Sequence, residues 1–233
     1  MAQTEAIGPI GAAFYFSPTT VATGKAHGLD GFRFYFLGRG GVLGDVEPKV
    51  VASAFGYFNP ELVTKMWNTA KDRMAPRDAA RLYLDCAHSF AREKLADVED
   101  LGPVADALAK VNDAVDPAGL ALYAGLDAEP MPDDDAARVY RLCMALREAR
   151  GSAHLLAVRA AGLSPRAAHQ VKRPDDVGMF GWEPMDVADE DTARRARAEE
   201  ITDDLMEPAF AVLDDTERGT VLDGLARVAA AVA

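Results

Sequence analysis

Apolar residues recur at helical spacing along most of the chain. Between residues 101 and 115 they fall three or four positions apart, and a similar pattern returns between 221 and 228. This period is typical of amphipathic α-helices. An alternation of apolar and polar residues, which would indicate β-strands, nowhere extends beyond about four positions. We therefore predict an all-α fold, with at most a short β wing near residues 179–184.

Helix ends are marked by short capping motifs. A serine, asparagine or aspartate directly before a proline is typical of a helix start. Such pairs stand at 17–18, 59–60, 116–117 and 164–165. A glycine before an apolar residue is typical of a helix end. These pairs stand at 28–29, 125–126 and 162–163. Asp214 and Glu217 resemble a capping box, which predicts the start of the last helix.

An acidic stretch with two prolines divides the chain. Residues 127–135 read DAEPMPDDD, a composition that favours an exposed connection. We predict an aromatic and glycine-rich helical half at residues 1–126. The second unit, at residues 132–233, is predicted to be helix-turn-helix-like and to end in a helical hairpin.

The two halves share short motifs. The Gly-Leu pair at 28–29 corresponds to the pair at 162–163, and the FGY corner at 55–57 corresponds to FGW at 180–182. A proline follows each corner. Such self-similarity indicates an internal duplication into two related halves. The alternative is chance agreement between motifs built from common residues.

Aromatic side chains are concentrated in the first half. Eleven of the 18 aromatic residues lie between 14 and 67, interleaved with glycines and arginines. The rings of the FRFYF segment point all around a helix, so they cannot all face one core. Ligand cavities combine such rings with a few polar groups, so we predict a site for a small, partly apolar ligand. The alternative is a core that joins the halves. The predicted ligand-binding residues are Tyr15, Phe32, Tyr35, Arg39, Tyr57 and Trp67.

The second half fits a helix-turn-helix. Residues 154–162 would form its first helix and residues 164–173 its second. The second helix would present five side chains to solvent that can contact bases or phosphates. They are Arg166, His169, Gln170, Lys172 and Arg173. The alternative is an ordinary helix pair with a solvated basic face.

Charge argues both for and against DNA. Residues 138–173 hold eight basic residues against one acidic residue, Glu148, a net charge of +7. Such a basic island is expected of a nucleic-acid contact. The whole chain, however, carries −12, so the remainder carries −19 and repels phosphates. We expect Arg166 or Arg173 to be paired with carboxylates or packed against the neighbouring half, and we disfavour DNA as a partner.

No reaction centre or metal site is predicted. The only two cysteines are Cys86 and Cys143, and the four histidines are far apart in the sequence. A disulfide framework and a metal cluster are therefore not expected. No nucleophile, base and orienting group form a recognisable set, so we assign no catalytic residue and leave any cofactor unknown.

The length of the apolar runs and the charge of the first residues predict the location of the protein. No run approaches the roughly 18 apolar residues of a membrane helix. The first nine residues carry an acid and no base, unlike a secretory signal. We therefore expect a cytoplasmic protein without a membrane partner.

Four motifs together carry a family resemblance. They are GLDGFRFYFLGRGGVLGDV, FGYFNP, SAHLLAVRAAGLSP and MFGW, beginning at residues 28, 55, 152 and 179. With them the chain resembles an actinobacterial family of mostly helical, helix-turn-helix-like proteins over nearly its whole length. The resemblance implies a degenerate winged-helix-like scaffold and no established activity.

The end of the chain has a second, shorter likeness. Residues 196–225 are similar to the C-terminal helices of MarR-type regulators, which form a dimer interface. The last two helices also carry a large set of apolar residues, so we predict a homodimer through them. The residues are Leu205, Val212, Leu213, Val221, Leu222, Leu225 and Val228.

Two functions remain open. The first is a helix-turn-helix-like scaffold that binds a small, partly apolar ligand and is not an identifiable enzyme. The alternative is a DNA-binding transcriptional regulator whose N-terminal half senses a ligand.

Overall fold

The structure, a computed structural model, describes residues 5–233. These residues form α-helices and two short 3-10 turns, Gly41–Leu43 and Pro174–Asp176, and include no β-strand. The predicted all-α fold is therefore confirmed. The helices are α1 Ile7–Ala12, α2 Pro18–Ala26, α3 Gly31–Gly40, α4 Pro48–Phe55, α5 Pro60–Lys71, α6 Pro76–Lys94, α7 Leu101–Asp113, α8 Ala121–Asp127, α9 Asp135–Ala160, α10 Pro165–Lys172, α11 Asp189–Phe210 and α12 Asp215–Val232.

Most of the predicted helix ends are confirmed. Ser17, Asn59 and Ser164 cap α2, α5 and α10, and each side chain accepts a backbone N–H of the first turn. Gly28 and Gly162 follow α2 and α9, each at φ +73°, a left-handed conformation that glycine adopts without strain. The capping box of Asp214 and Glu217 starts α12 as expected.

Two predicted boundaries are wrong. Gly125 lies inside α8 and does not end it. The missing side chain lets α8 approach Val42 closely, since a Cβ at Gly125 would lie 2.7 Å from the Val42 carbonyl oxygen. Asp116 and Pro117 precede a turn, and α8 begins only at Ala121. The Asp116 carboxylate accepts the Ala118 N–H within that turn.

The wing expected at residues 179–184 does not form a strand. The N–H groups of Phe180 and Trp182 both donate to the Val177 carbonyl, and Gly181 lies at φ +80°. Consecutive tight turns leave no extended backbone for pairing. We call residues 177–187 the strap, because they run without regular structure from the end of α10 toward α11.

Helix α9 is the centre of the fold. Between residues 137 and 149 nearly all its side chains are buried, as expected of a helix enclosed on all sides. It packs against α1, α6, α7, α8 and α11. The main core draws side chains from before and after residues 127–135. The division into units at 1–126 and 132–233 stays a prediction.

The two Gly-Leu turns have the same local geometry. In each, the leucine N–H donates to a carbonyl five residues back: Leu29 to Gly24, and Leu163 to Val158. The two Phe-Gly corners also meet in space, since the Phe58 and Phe180 rings stack at 4.1 Å. Shared turn geometry is expected of a duplication but also of any glycine-terminated helix. The duplication stays a prediction.

The helix pair of the second half is present with a longer first helix. That helix is the end of α9, which runs from 135 to 160 instead of starting at 154, and α10 is the second. A small separate core holds the pair together and includes Ala157, Val158, Leu163 and Ala168.

The last two helices bury most of the apolar residues expected at a dimer interface. Leu213, Val221, Leu225 and Val228 are buried in the chain's own core. A Cβ at Gly224 of α12 would meet Val104 of α7, which shows how closely these helices approach. Three of the seven residues are exposed: Leu205, Val212 and Leu222. Among residues 5–233, no helix has the length and apolar character needed to cross a membrane.

Candidate functional site

A cavity of about 300 Å³ opens beside the middle of α9. Helices α1, α3, α4, α8, α10 and α11 and the strap complete its walls. The apolar lining residues include Phe55, Phe58, Leu155, Phe180, Met206 and Phe210. The charged lining residues include Arg39, Arg147, Glu148 and Arg150. A cavity of this kind can hold a ligand with one apolar and one polar end.

Three of the six predicted ligand-binding residues line this cavity. They are Tyr35, Arg39 and Tyr57. Tyr15 lies behind the wall, where its hydroxyl donates to Glu148 Oε1 at 3.3 Å.

The other two predicted residues do not line it. Phe32 stacks against Phe16 and Tyr35. Trp67 is completely buried in the core, and its Nε1 donates to the Val46 carbonyl at 3.0 Å.

The charged part of the lining includes a triad of one buried glutamate and two partly buried arginines. Arg39 Nε and Nη2 donate to the two carboxylate oxygens of Glu148 at 2.8 and 2.7 Å. Arg147 Nη1 donates to the same carboxylate at 2.9 Å. The Glu148 side chain is only 5% exposed. A bidentate contact of this kind fixes both groups in orientation as well as in distance.

Aromatic rings hold the two guanidinium groups in place. The Arg39 guanidinium lies 4.4 Å from the centre of the Phe55 ring, and Arg39 Nη1 donates to the Tyr35 hydroxyl at 3.1 Å. The Arg147 guanidinium lies 5.1 Å from the centre of the Tyr15 ring. Such contacts stabilise a cation that is partly removed from water.

The triad stays charged at neutral pH. Burial alone would raise the pKa of Glu148, but the charges and hydrogen bonds of Arg39 and Arg147 outweigh it and lower that pKa to about 2. Burial lowers the pKa of Arg39, but the charge and hydrogen bonds of Glu148, together with Tyr35 and Tyr15, outweigh burial and raise that pKa. The triad therefore carries a net charge of +1.

Sequence reasoning missed Arg147, Glu148 and Arg150 as site residues. The sequence does contain one indication of the triad: Glu148 is the single acidic residue among the eight basic residues of positions 138–173. Its partner Arg39 is 109 positions away, and no local pattern joins them. A single acid in an otherwise apolar and basic helix indicates a paired charge, because a buried carboxylate needs a cationic partner.

The five residues predicted to face DNA are not all exposed. His169 and Gln170 are 7% and 8% exposed, so their expected exposure is wrong. The reason is the strap, which folds back over α10. The His169 ring lies 3.9 Å from that of Phe180, and Gln170 Oε1 accepts the Met185 N–H.

Arg166 and Arg173 both have partners, whereas Lys172 has no hydrogen bond or ion pair among residues 5–233. Arg166 donates to the Glu183 carbonyl at 2.7 Å, and its guanidinium lies 5.2 Å from the centre of the Trp182 ring. Arg173 is 3.9 Å from the Asp176 carboxylate, which confirms the expected pairing with an acid. Lys172 is exposed. His169 and Arg173 line the cavity.

The strap is also fastened to the first half. Phe180 accepts the Asn59 N–H at 2.8 Å, and Asn59 Nδ2 donates to the Gly181 carbonyl at 2.9 Å. Trp182 Nε1 donates to the Tyr57 carbonyl at 2.8 Å. The strap therefore connects the face of α10 with the corner that lines the cavity.

Comparison with known families decides the class of the chain. A family model described as a helix-turn-helix family matches residues 2–180. The chain belongs to this helix-turn-helix family. The match ends inside the strap, so α11 and α12 lie beyond the family region. No curated protein and no solved structure matches the chain. Within residues 5–233, no cluster of metal-ligating side chains is present.

Proposed function

We propose that this helix-turn-helix family protein binds a small, partly apolar ligand in the cavity beside α9. The observation that carries the proposal is the triad at the cavity wall. Burying Glu148 and removing Arg39 and Arg147 from most of their water is costly unless the three charges are paired and held, and here every contact that holds them is made by cavity or neighbouring residues. Groups held in fixed positions bind a ligand without further loss of side-chain freedom.

Two glycines in the lining support the same proposal. Gly8 and Gly151 line the cavity, and a Cβ added at either would meet no atom of residues 5–233 within 4 Å. Gly151 lies inside α9, where glycine costs roughly 1 kcal/mol relative to alanine. A helix that keeps glycine at a position with room for a side chain leaves that room available to a ligand.

Filling this space is the test of the proposal. In Gly151→Leu, the side chain leans toward the preceding turn, and so toward Arg147, and occupies the cavity. We expect calorimetric titration to detect wild-type binding of a naphthalene carboxylate or its neutral carboxamide, and to show at least about a tenfold loss in the variant. Thermal stability should be unchanged or higher, because glycine is removed from a helix.

The matched control is Gly219→Leu. Gly219 lies inside α12 and does not line the cavity, and a Cβ added there would also meet no atom of the described residues within 4 Å. It should bind the probe like the wild type. Binding of neither probe by the wild type, or equal binding by the Gly151 and Gly219 variants, would contradict the proposed function.

The second candidate is a DNA-binding regulator. It is favoured by the helix-turn-helix family match and by the exposure of Lys172 and Arg173 at the end of α10. It is opposed by the strap, which covers His169 and Gln170, and by the acidic remainder of the chain. We therefore rank it below ligand binding.

Salt dependence tests this candidate. If the second helix contacts phosphates, Lys172→Ala should weaken binding of a fluorescent duplex of any sequence. It should also reduce the slope of log affinity against log salt by about one. Fluorescence anisotropy measures both. Lys49→Ala, an exposed lysine on α4, should leave binding unchanged. An absence of wild-type binding at low salt would rule this candidate out.

The assembly and origin of the chain belong to the same proposal. Leu205, Val212 and Leu222 leave a reduced apolar surface through which two copies could pair. The likeness of residues 196–225 to the dimer helices of MarR-type regulators supports such a homodimer. An actinobacterial origin is supported by the family resemblance and by the preference for arginine over lysine.

A further inference from the structure

We infer that the ligand carries a single negative charge and that Arg147 is its counter-ion; this inference rests on the proposed function of the cavity. The two arginines of the triad differ in how many of their guanidinium donors are already used. Arg39 uses Nε and Nη2 on Glu148 and Nη1 on Tyr35. Its hydrogen-bonding edge is therefore occupied within the chain.

Arg147 differs from Arg39 in this respect. Among residues 5–233, its only side-chain hydrogen bond is from Nη1 to Glu148. Its side chain is 27% exposed, against 15% for Arg39. Nε and Nη2 remain available on a side chain that lines the cavity. A planar guanidinium with free donors is suited to a carboxylate or another oxyanion.

The other cavity cations are balanced by acids. Arg150 is 2.8 Å from Glu199 and 4.0 Å from Asp203. Arg173 faces Asp176. The triad is the exception, because Arg39 and Arg147 share the one carboxylate of Glu148. One negative charge would complete the balance, whereas a second would be left unpaired beside a partly buried site.

The shape of α9 places the anion beside Arg147. Residues 147 and 151 are one helical turn apart and share a face. Gly151 leaves open space there, and Leu155 continues the same face as an apolar wall. The charged end of the ligand would meet Arg147 above Gly151. Its apolar body would extend along Leu155 toward Phe58.

The test compares two probes of nearly equal shape on the full chain. By calorimetric titration, we expect naphthalene carboxylate to bind about tenfold or more tightly than neutral naphthalene carboxamide. Arg147→Met keeps much of the apolar stem and leaves Arg39 and Glu148 as a balanced pair. It should remove the preference for the carboxylate, because the affinity for the carboxylate falls further than the affinity for the carboxamide. Arg197→Met, at an exposed surface pair with Glu200, should leave both affinities unchanged.

The outcomes separate the inference from the proposed function. Equal binding of both probes by the wild type would contradict the negative charge of the ligand but not the cavity as a binding site. A preference that survives in Arg147→Met would overturn Arg147 as the counter-ion. Binding of neither probe would overturn the proposed function itself.

If Arg147→Met fails to fold by circular dichroism, Arg147→Lys replaces it. Lysine keeps the charge without the planar fork, so it should retain a reduced carboxylate preference, and a complete loss would contradict the inference.

Discussion

Glu148→Ala should lower the free energy of unfolding by about 3–5 kcal/mol, because it leaves the mostly buried guanidinium groups of Arg39 and Arg147 without a carboxylate. Arg39 would lose both of its carboxylate contacts, and Arg147 would lose its only one. Urea unfolding followed by circular dichroism measures the change. A loss below about 1 kcal/mol would mean that the triad is solvated and contributes like a surface pair.

The control is another glutamate in an ion pair. Glu200 pairs with Arg197, and both side chains are more than half exposed. Glu200→Ala should change the free energy of unfolding by less than about 1 kcal/mol, as exposed pairs do. The contrast between the two variants separates burial of the charge from the mere presence of an ion pair.

The same carboxylate makes stability depend on pH. The pKa of Glu148 is lowered from 4.5 to about 2 in the folded chain, so the unfolded chain binds the proton more readily. The contribution is complete above pH 4.5 and is lost as the pH falls toward 2. Wild type should therefore lose its advantage over Glu148→Gln across this window.

Gly41→Ala should lower the free energy of unfolding by about 3 kcal/mol or more, at the upper end of the cost of overpacking. A Cβ at Gly41 would lie 2.0 Å from the Pro76 carbonyl oxygen and 2.8 Å from its carbon. These are backbone atoms, which cannot rotate away, so the segment after α3 and the start of α6 would have to separate. Thermal and urea unfolding measure the effect.

Gly219→Ala is the matched control for this substitution. It introduces the same methyl group into a helix where no atom lies within 4 Å. It should raise stability by about 0.5–1 kcal/mol, because alanine loses less freedom than glycine on folding. Equal effects at Gly41 and Gly219 would show that α6 can move to make room.

Local chemistry explains what the sequence could predict about the fold. Ser17, Ser164 and Gly162 act on the backbone within a few residues, so their effect is readable from neighbouring positions. Gly125 follows the same pattern but is used for a contact with Val42, 83 positions earlier. A pattern of neighbours cannot distinguish a glycine that ends a helix from one that admits another segment.

The site was predictable only in part for a related reason. Tyr57 and Trp67 are both aromatic and lie in the same segment, but only Tyr57 lines the cavity. Residue type favours burial in both cases and does not decide whether the ring faces a core or a cavity. Likewise, helical period places Gln170 on an outer face, and the strap that covers it arrives 15 positions later.

The strap has a consequence for the rate at which a ligand leaves. It has no regular secondary structure and is held by separate hydrogen bonds and ring contacts, among them Asn59 to Phe180, Tyr57 to Trp182 and Gln170 to Met185. Irregular surface segments open locally, whereas we expect amide hydrogens in the buried centre of α9 to exchange only on global unfolding. A ligand that leaves past Phe180 would therefore have a residence time set by opening of this one segment. Mutations that weaken the core would shorten the life of the folded protein without shortening the life of the complex.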